Sequence, residues 1–276
     1  MSYTRDPSVS GSFYPDNPNV LTKNIEAYLK NASSDSIEGE IIGLIAPHAG
    51  YIYSGQVAAY GYKAVTGSSF DTVIIVAPSH RVRFGGIAVL EKGGYRTPLG
   101  TVPVDEEFAH ELIALNTVVM PNVDAHRGEH SLEVQIPFLQ VVLKDLTIVP
   151  LIMGSQEPAL CEALAESLHA VTRKTKKKVL VVGSTDLSHY YPYSEAVGLD
   201  MVVKEHLEAY DINGLLASLR KGTCEACGAG PMVSAMLTSQ KLGATGSKVL
   251  KYANSGDVSG DRNGVVGYIS CVFFKK

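Results

Sequence analysis

The chain has 276 residues, 45% hydrophobic and 19% charged, with a formal net charge of -4. That is an ordinary globular composition, and its one basic block, Arg173-Lys174 with Lys176-Lys177-Lys178, argues against nucleic acid as a partner. No run approaches the ~18 apolar residues of a membrane span, and "MSYTRDPSVSGSFYPD" lacks the apolar stretch of a signal peptide, so no membrane partner and a cytoplasmic setting are expected.

In chain order, Val20, Leu21, Ile25, Tyr28 and Leu29 fall at helical spacing and predict a helix over 18–31. A loop, "ASSDSIEGE", leads to a strand over 41–46. "SGQVAAYGYKAV" then predicts a helix capped by the Ser54 hydroxyl. A second strand is expected over 73–77, followed by a Gly- and Pro-rich β-hairpin excursion ending at "TVPVD". "DEEFAHELIALN" has acids in its first turn, where the helix dipole favours them. "EHSLEVQIPFLQVVLK" predicts a helix capped by Ser131 and kinked at Pro137. Strands follow at 146–154 and 178–186 around the helical "EPALCEALAESLHAVTRK". Three helices then precede the closing strands "KVLKYANS" and "GVVGYISCVFF". No linker interrupts the pattern, so one domain over 1–276 is expected. Strands alternating with helices predict an α/β sandwich. Its strands are near-continuously apolar, so the sheet should be largely parallel or mixed and covered on both faces.

Three of these strands end in chemistry. "LIAPH" ends at His48, "VIIVAPSH" at Ser79-His80, and "VLVVGSTDLSH" at Asp186 and His189. Ligands of open α/β sheets bind beyond the carboxyl ends of strands. If these strands are parallel neighbours, three histidines and a carboxylate meet in one crevice. A lone strand-end histidine is usually a satisfied loop residue; the repetition favours a site. Glu129 and His130 start another predicted helix, and His126 lies in a loop. His110, His169 and His206 fall within amphipathic helices and are expected at the surface or core edge. Four cysteines are too few for a disulfide scaffold. Cys161 and Cys271 look like packing residues. Cys224 and Cys227, in "CEACGAGP", precede a helix, a position that biases a thiol toward thiolate.

The stretches "SGSFYP", "IAPHAGYIYSG", "APSH", "YRTPLG", "EHSLEVQIPFL", "STDLSHY", "CGAGP" and "YANSGD" together resemble the Memo family, in order and across nearly the whole chain. The family's fold is similar to that of class III extradiol dioxygenases, in which two histidines and a glutamate hold Fe(II). The resemblance implies His48, His80 and Cys227 as metal ligands, with Cys227 in place of the glutamate. It implies His189 as acid/base beside Asp186, with Phe13 and Tyr53 lining the pocket. Ser79, Arg96, Glu129 and His130 complete the candidate ligand-facing residues, and Cys224 is expected to be a bystander. The resemblance implies Fe(II) as the metal, and a thiolate, softer than a carboxylate, adds copper and zinc as alternatives. Vertebrate members imply binding of phosphotyrosine peptides. Two functions follow. One is a metal-dependent oxidoreductase of dioxygenase type on a small molecule. The other is a non-enzymatic module that recognises phosphorylated or acidic ligands, with Arg96 as charge partner. Oligomeric state is left open.

Overall fold

The apolar runs assemble at the centre of a computed structural model that describes residues 3–33, 37–115 and 118–276. Part of the loop predicted after the first helix (34–36) and Asn116 of the third predicted helix lie outside the described residues. The first half of the chain contains β1 (Thr4–Arg5), α1 (Pro18–Asn31), β2 (Glu40–Ala46), α2 (Tyr51–Ala64), β3 (Thr72–Pro78), β4 (Ile87–Val89), β5 (Gly94–Thr97), β6 (Gly100–Pro103), α3 (Glu106–Leu115), β7 (Val119–Pro121), α4 (Val123–Arg127), α5 (His130–Glu133) and α6 (Ile136–Val142). The second half contains β8 (Ile148–Met153), α7 (Pro158–Thr175), β9 (Val179–Ser184), β10 (His189–Tyr191), α8 (Tyr193–Ala209), α9 (Ile212–Lys221), α10 (Ala229–Lys241), β11 (Gly246–Asn254), α11 (Ser255–Ser259) and β12 (Val265–Lys275).

The main sheet runs β10-β12-β2-β9-β3-β8-β4-β7, with β11 also paired to β12. Strands β2, β9, β3 and β8 are parallel neighbours. β12 joins β2, and β4 joins β8, in antiparallel sense. The sheet is therefore mixed around a parallel centre, and the fold is α/β. Apart from Glu40, every residue of the four central strands is buried. Helices on both faces explain this. Gly43 lies under Ser239 of α10, where an added Cβ would come within 2.2 Å of the serine oxygen. Its neighbour Leu44 meets α2 near Gly61. Successive strand residues point to opposite faces, so α10 and α2 cover opposite sides. A separate small sheet, β1-β5-β6, carries the expected hairpin. Among the described residues, no helix is long and apolar enough to cross a membrane.

Several local expectations change. β4, expected within the hairpin excursion, instead joins the main sheet. Helix α2 begins at Tyr51, with Gly50 before it, because the Tyr51 side chain packs into the core as soon as the chain leaves β2. Ser54 is therefore inside the helix, and its hydroxyl donates back to Ala49 O at 2.9 Å. Ser131 does not cap α5: the Glu129 carboxylate accepts from Ser131 N at 3.0 Å. The single kinked helix is two short ones, and Pro137 stands in the first turn of α6, where its missing N–H costs nothing. His126 is in α4, fully buried, with Nδ1 2.6 Å from the Tyr95 hydroxyl.

Candidate metal site

Strands β2, β9 and β3 end side by side, and the turns that leave them carry His48, Asp186 and His80 into one cleft of about 720 Å³. Phe13, Tyr53, His130 and His189 also line it. The imidazoles of His48, His80 and His130 crowd together, with ring centroids 4.6 to 5.6 Å apart. Among the described residues, one donor atom from each of these three lies within 4.8 Å of the other two.

The tautomer of His48 follows from its neighbours. Ser184 Oγ is 2.7 Å from Ser131 O, which can only accept. It is 2.8 Å from Gln135 Nε2, which can only donate. That amide is oriented by Tyr62, whose hydroxyl donates to Gln135 Oε1 at 2.6 Å, and by Pro47 O, which accepts from Nε2 at 3.0 Å. The single serine proton therefore goes to Ser131 O, and Oγ can only accept from His48 Nδ1 at 2.9 Å. His48 carries its proton on Nδ1, which leaves the Nε2 lone pair bare. Burial holds its pKa well below the usual histidine range, so the ring is neutral.

His80 reaches the same state by a shorter route. Glu129, itself 1% exposed, accepts from His80 N at 2.5 Å and from His80 Nδ1 at 2.9 Å. Burial pushes the Glu129 carboxyl up, but the His80 ring and backbone and the Ser131 amide outweigh it and hold its pKa at about 2. An ionised carboxylate only accepts, so His80 donates from Nδ1, which leaves Nε2 as the nitrogen that can meet a metal. This is the carboxylate–histidine arrangement that orients metal ligands. His130 Nδ1 stands 3.3 Å from the same Glu129 oxygen without a hydrogen bond. Burial lowers its pKa to about 4. Imidazoles whose Nδ1–H is held from behind present Nε2 to a divalent transition metal, and the His48–His80 pair fits one.

Cys227 flanks the cluster. Its Sγ lies 3.2 Å from His48 Nε2 and accepts from Asp186 N at 3.3 Å. With Nε2 bare, the thiol donates. The expected thiolate bias is not met in the metal-free protein. Burial, then the charge of Asp186, pushes the Cys227 thiol up to about 12, against the nearby start of α10. Burial likewise raises Asp186 to about 6, opposed by the His48 amide, which donates to it at 2.7 Å. His189 donates from Nδ1 to Leu187 O at 2.7 Å, so its Nε2 is the free nitrogen in the cleft. Glu225, between the two cysteines, accepts from His189 N at 2.9 Å and from the Tyr191 hydroxyl at 3.2 Å. It ties the cysteine loop to the His189 strand. Cys224 is buried outside the donor group, its thiol raised to about 11 by burial.

Four candidate residues are not among those that line the cleft: Arg96, Ser79, Glu129 and Cys227, the last lying beside His48 but outside the three-imidazole group. Arg96 projects from the small sheet, 56% exposed, and pairs with Asp6 at 2.8 Å. Ser79 turns its hydroxyl to Val82 O at 2.7 Å, bracing the loop that carries His80. Glu129 acts from behind His80 rather than facing a ligand. The residues that pattern reading passed over are hydrogen-bonding partners: Ser184, Gln135, Glu225, and a fully buried Arg5–Glu133 pair. Arg5 donates to His126 O at 2.9 Å and to Glu129 O at 2.5 Å. Glu133 accepts from the Ser8 and Val9 amides at 2.8 and 3.1 Å and from the Tyr14 hydroxyl. These contacts clamp the arm bearing Phe13 to the helix bearing His130, whose rings meet edge to face at 5.0 Å.

The chain is similar to known proteins. A MEMO1 family protein of Sulfolobus acidocaldarius is 37% identical over 98% of this chain and 99% of its own. One from Methanobrevibacter smithii is 38% identical with the same coverage. The crystal structure of an uncharacterized Escherichia coli K12 protein superposes with a TM-score of 0.54, covering 84% of this chain and 99% of its own at 14% identity, a likeness of fold alone. The profile of the Memo-like protein family matches residues 5–272, which takes in every element that builds the cleft, and the chain belongs to that family.

Proposed function

We propose that the chain is a metal-dependent oxidoreductase of the dioxygenase type, acting on a small phenolic substrate in the strand-end cleft. The observation that carries this reading is the pair His48 and His80, each with its Nδ1–H held from behind so that Nε2 is the nitrogen that can meet a metal, converging on one cleft. We assign His48, His80 and Cys227 as the ligands, with His130 as a further donor within reach, and Fe(II) as the metal ahead of copper and zinc. Such an ion supplies a Lewis-acidic, redox-capable centre for O₂ and a phenol. The protein's own part is positional and protic. His189 presents Nε2 to the cleft and can take a phenolic proton there. Asp186 fixes the turn that carries His48. The cleft draws on residues from Ser12 to Tyr268, which supports one domain over the whole chain. The alternative, a module for acidic or phosphorylated ligands, has less support: among the described residues, no lysine or arginine lines the cleft.

The test is metal analysis of protein purified without oxygen, followed by oxygen consumption with simple phenols. His48→Ala, His80→Ala and Cys227→Ser should each strip the metal, and Cys224→Ser should not. A parent protein that takes up no Fe(II), Cu(I) or Zn(II) on titration refutes the proposal. Loss of metal in His130→Ala with retention in Cys227→Ser would replace the thiol by the third imidazole.

A further inference from the structure

Tyr190 is the one cleft residue whose backbone and side chain are both costly to maintain. Its φ is +66°, in the left-handed region that bulky residues avoid. Lys176 and Tyr210 share that conformation, but each ends a helix, where it satisfies the last carbonyls. Tyr190 ends nothing. It sits in β10 at a register shift against β12, between His189 and Tyr191. Bulges of this kind re-aim side chains beside sites. Here the result is a ring 78% exposed at the cleft, with its centroid 5.7 Å from that of His189 and edge to face with it. Tyr53 and Ile52, also on the cleft, are 42% and 71% exposed. The cleft is thus walled with uncovered apolar surface, much of it aromatic. Its charged lining is acidic, Asp186 and Asp261, and the adjacent Arg262 is turned away, stacked 4.5 Å over Tyr193.

We infer that Tyr190 is the specificity-determining residue of the cleft, a stacking face for an uncharged aromatic ring. This rests on the phenolic reading above and adds which residue receives the ring and which substituents are rejected. Strain held at a functional position is offset elsewhere in the fold, and a tyrosine offers a rigid aromatic face with few torsions to freeze. In the cleft away from the metal ligands, a carboxylate or phosphate on the ring would meet two acidic side chains and, among the described residues, no lysine or arginine.

The test uses ligand-observed NMR titration with p-cresol, 4-methylbenzoate and 4-methylcatechol, on metal-free and Fe(II)-loaded protein under anaerobic conditions. Tyr190→Phe should bind p-cresol within about threefold of the parent, and Tyr190→Ala and Tyr190→Gly about tenfold more weakly. All variants should bind Fe(II) as the parent does. Tyr190→Gly relieves the backbone and should unfold no earlier than the parent, which a packing role would not allow. Binding of p-cresol by Tyr190→Ala within twofold of the parent overturns the inference, as does tighter binding of 4-methylbenzoate than of p-cresol to the metal-free protein. A 4-methylcatechol affinity that gains nothing from Fe(II) counts against the metal reading alone. The stacking role is judged on p-cresol, which does not chelate.

Discussion

Ser184→Ala probes how the cleft fixes the tautomer of His48. Ser184 Oγ is fully buried and holds three partners: Ser131 O at 2.7 Å, Gln135 Nε2 at 2.8 Å and His48 Nδ1 at 2.9 Å. Alanine leaves an acceptor and two donors without that partner, though Gln135 Nε2 keeps Pro47 O. A buried polar group left unsatisfied costs ~1–3 kcal/mol. The partly compensated sum is roughly 3 kcal/mol, and the melting temperature of a chain this long should fall by about 6–12 °C. The second effect is specific. With no acceptor at Nδ1, His48 gains by moving its proton to Nε2, where Cys227 Sγ can accept it at 3.2 Å. That proton occupies the lone pair a metal needs. Loss of such a supporting partner typically costs 10–100-fold in metal affinity. Anaerobic Co(II) or Fe(II) titration of Ser184→Ala, at a temperature where it is fully folded, measures this. Nitrogen NMR of the imidazole should show the proton moving from Nδ1 to Nε2. A variant that loses stability but binds metal like the parent would show that Ser184 serves only the core and that the tautomer argument is wrong.

Glu129→Gln keeps the shape behind His80 but removes the charge, and metal affinity should fall by roughly 10–100-fold; an unchanged dissociation constant would take Glu129 out of the site. His126 is buried neutral, its pKa lowered to about 3 by burial and then by Arg5. Its folded value lies below the free one, so its contribution to stability is complete above about pH 6.5 and is lost as pH falls toward 3. Metal-free His126→Gln should therefore show a shallower loss of stability between pH 6.5 and 4, by up to ~1.4 kcal/mol per pH unit. Urea unfolding across that range would show parallel curves if the ring titrates normally. Arg5→Met leaves Glu133 buried without its cation and should cost ~3–5 kcal/mol; a loss below about 1 kcal/mol in chemical unfolding would mean that the pair does not secure the amino-terminal arm.

The parts of this site that were legible in sequence share one property: the signal is local. An apolar run followed at once by Pro-x-His or Asp marks a strand and its outlet together, and parallel neighbours bring such outlets into one place. His48, His80, Asp186 and His189 were readable for that reason. Ser184 and Gln135 were not. Each is an ordinary polar residue whose meaning lies in partners far along the chain, and no spacing rule pairs Gln135 with Pro47 or Ser184 with Ser131. The α5 cap shows the same limit at short range. Glu129 and Ser131 can both close a helix start, and what decides is that His80 already orders the Glu129 carboxylate. Arg96 failed differently. Its charge suggested a role, but its position on the small sheet, beside Asp6, is set by strand pairing.

The place of β12 in the sheet has a consequence for biosynthesis. It follows every other described strand in chain order, yet it lies inside the sheet, paired with β2, β10 and β11. Until residues 265–275 have left the ribosome, β2 offers an unpaired edge of backbone donors and acceptors, and β10, which carries His189, has no strand to pair with. Open edges of this kind invite pairing with other chains. Closing the sheet also needs contacts across most of the chain, which slows folding. A nascent chain therefore has His48 and His80 long before it has a finished cleft, and any ion it captures early is held without the wall that Tyr268 and β10 supply. The proposed ion would find a finished cleft only once β12 has paired, and a truncation inside β12 would yield an aggregating chain rather than a merely inactive one.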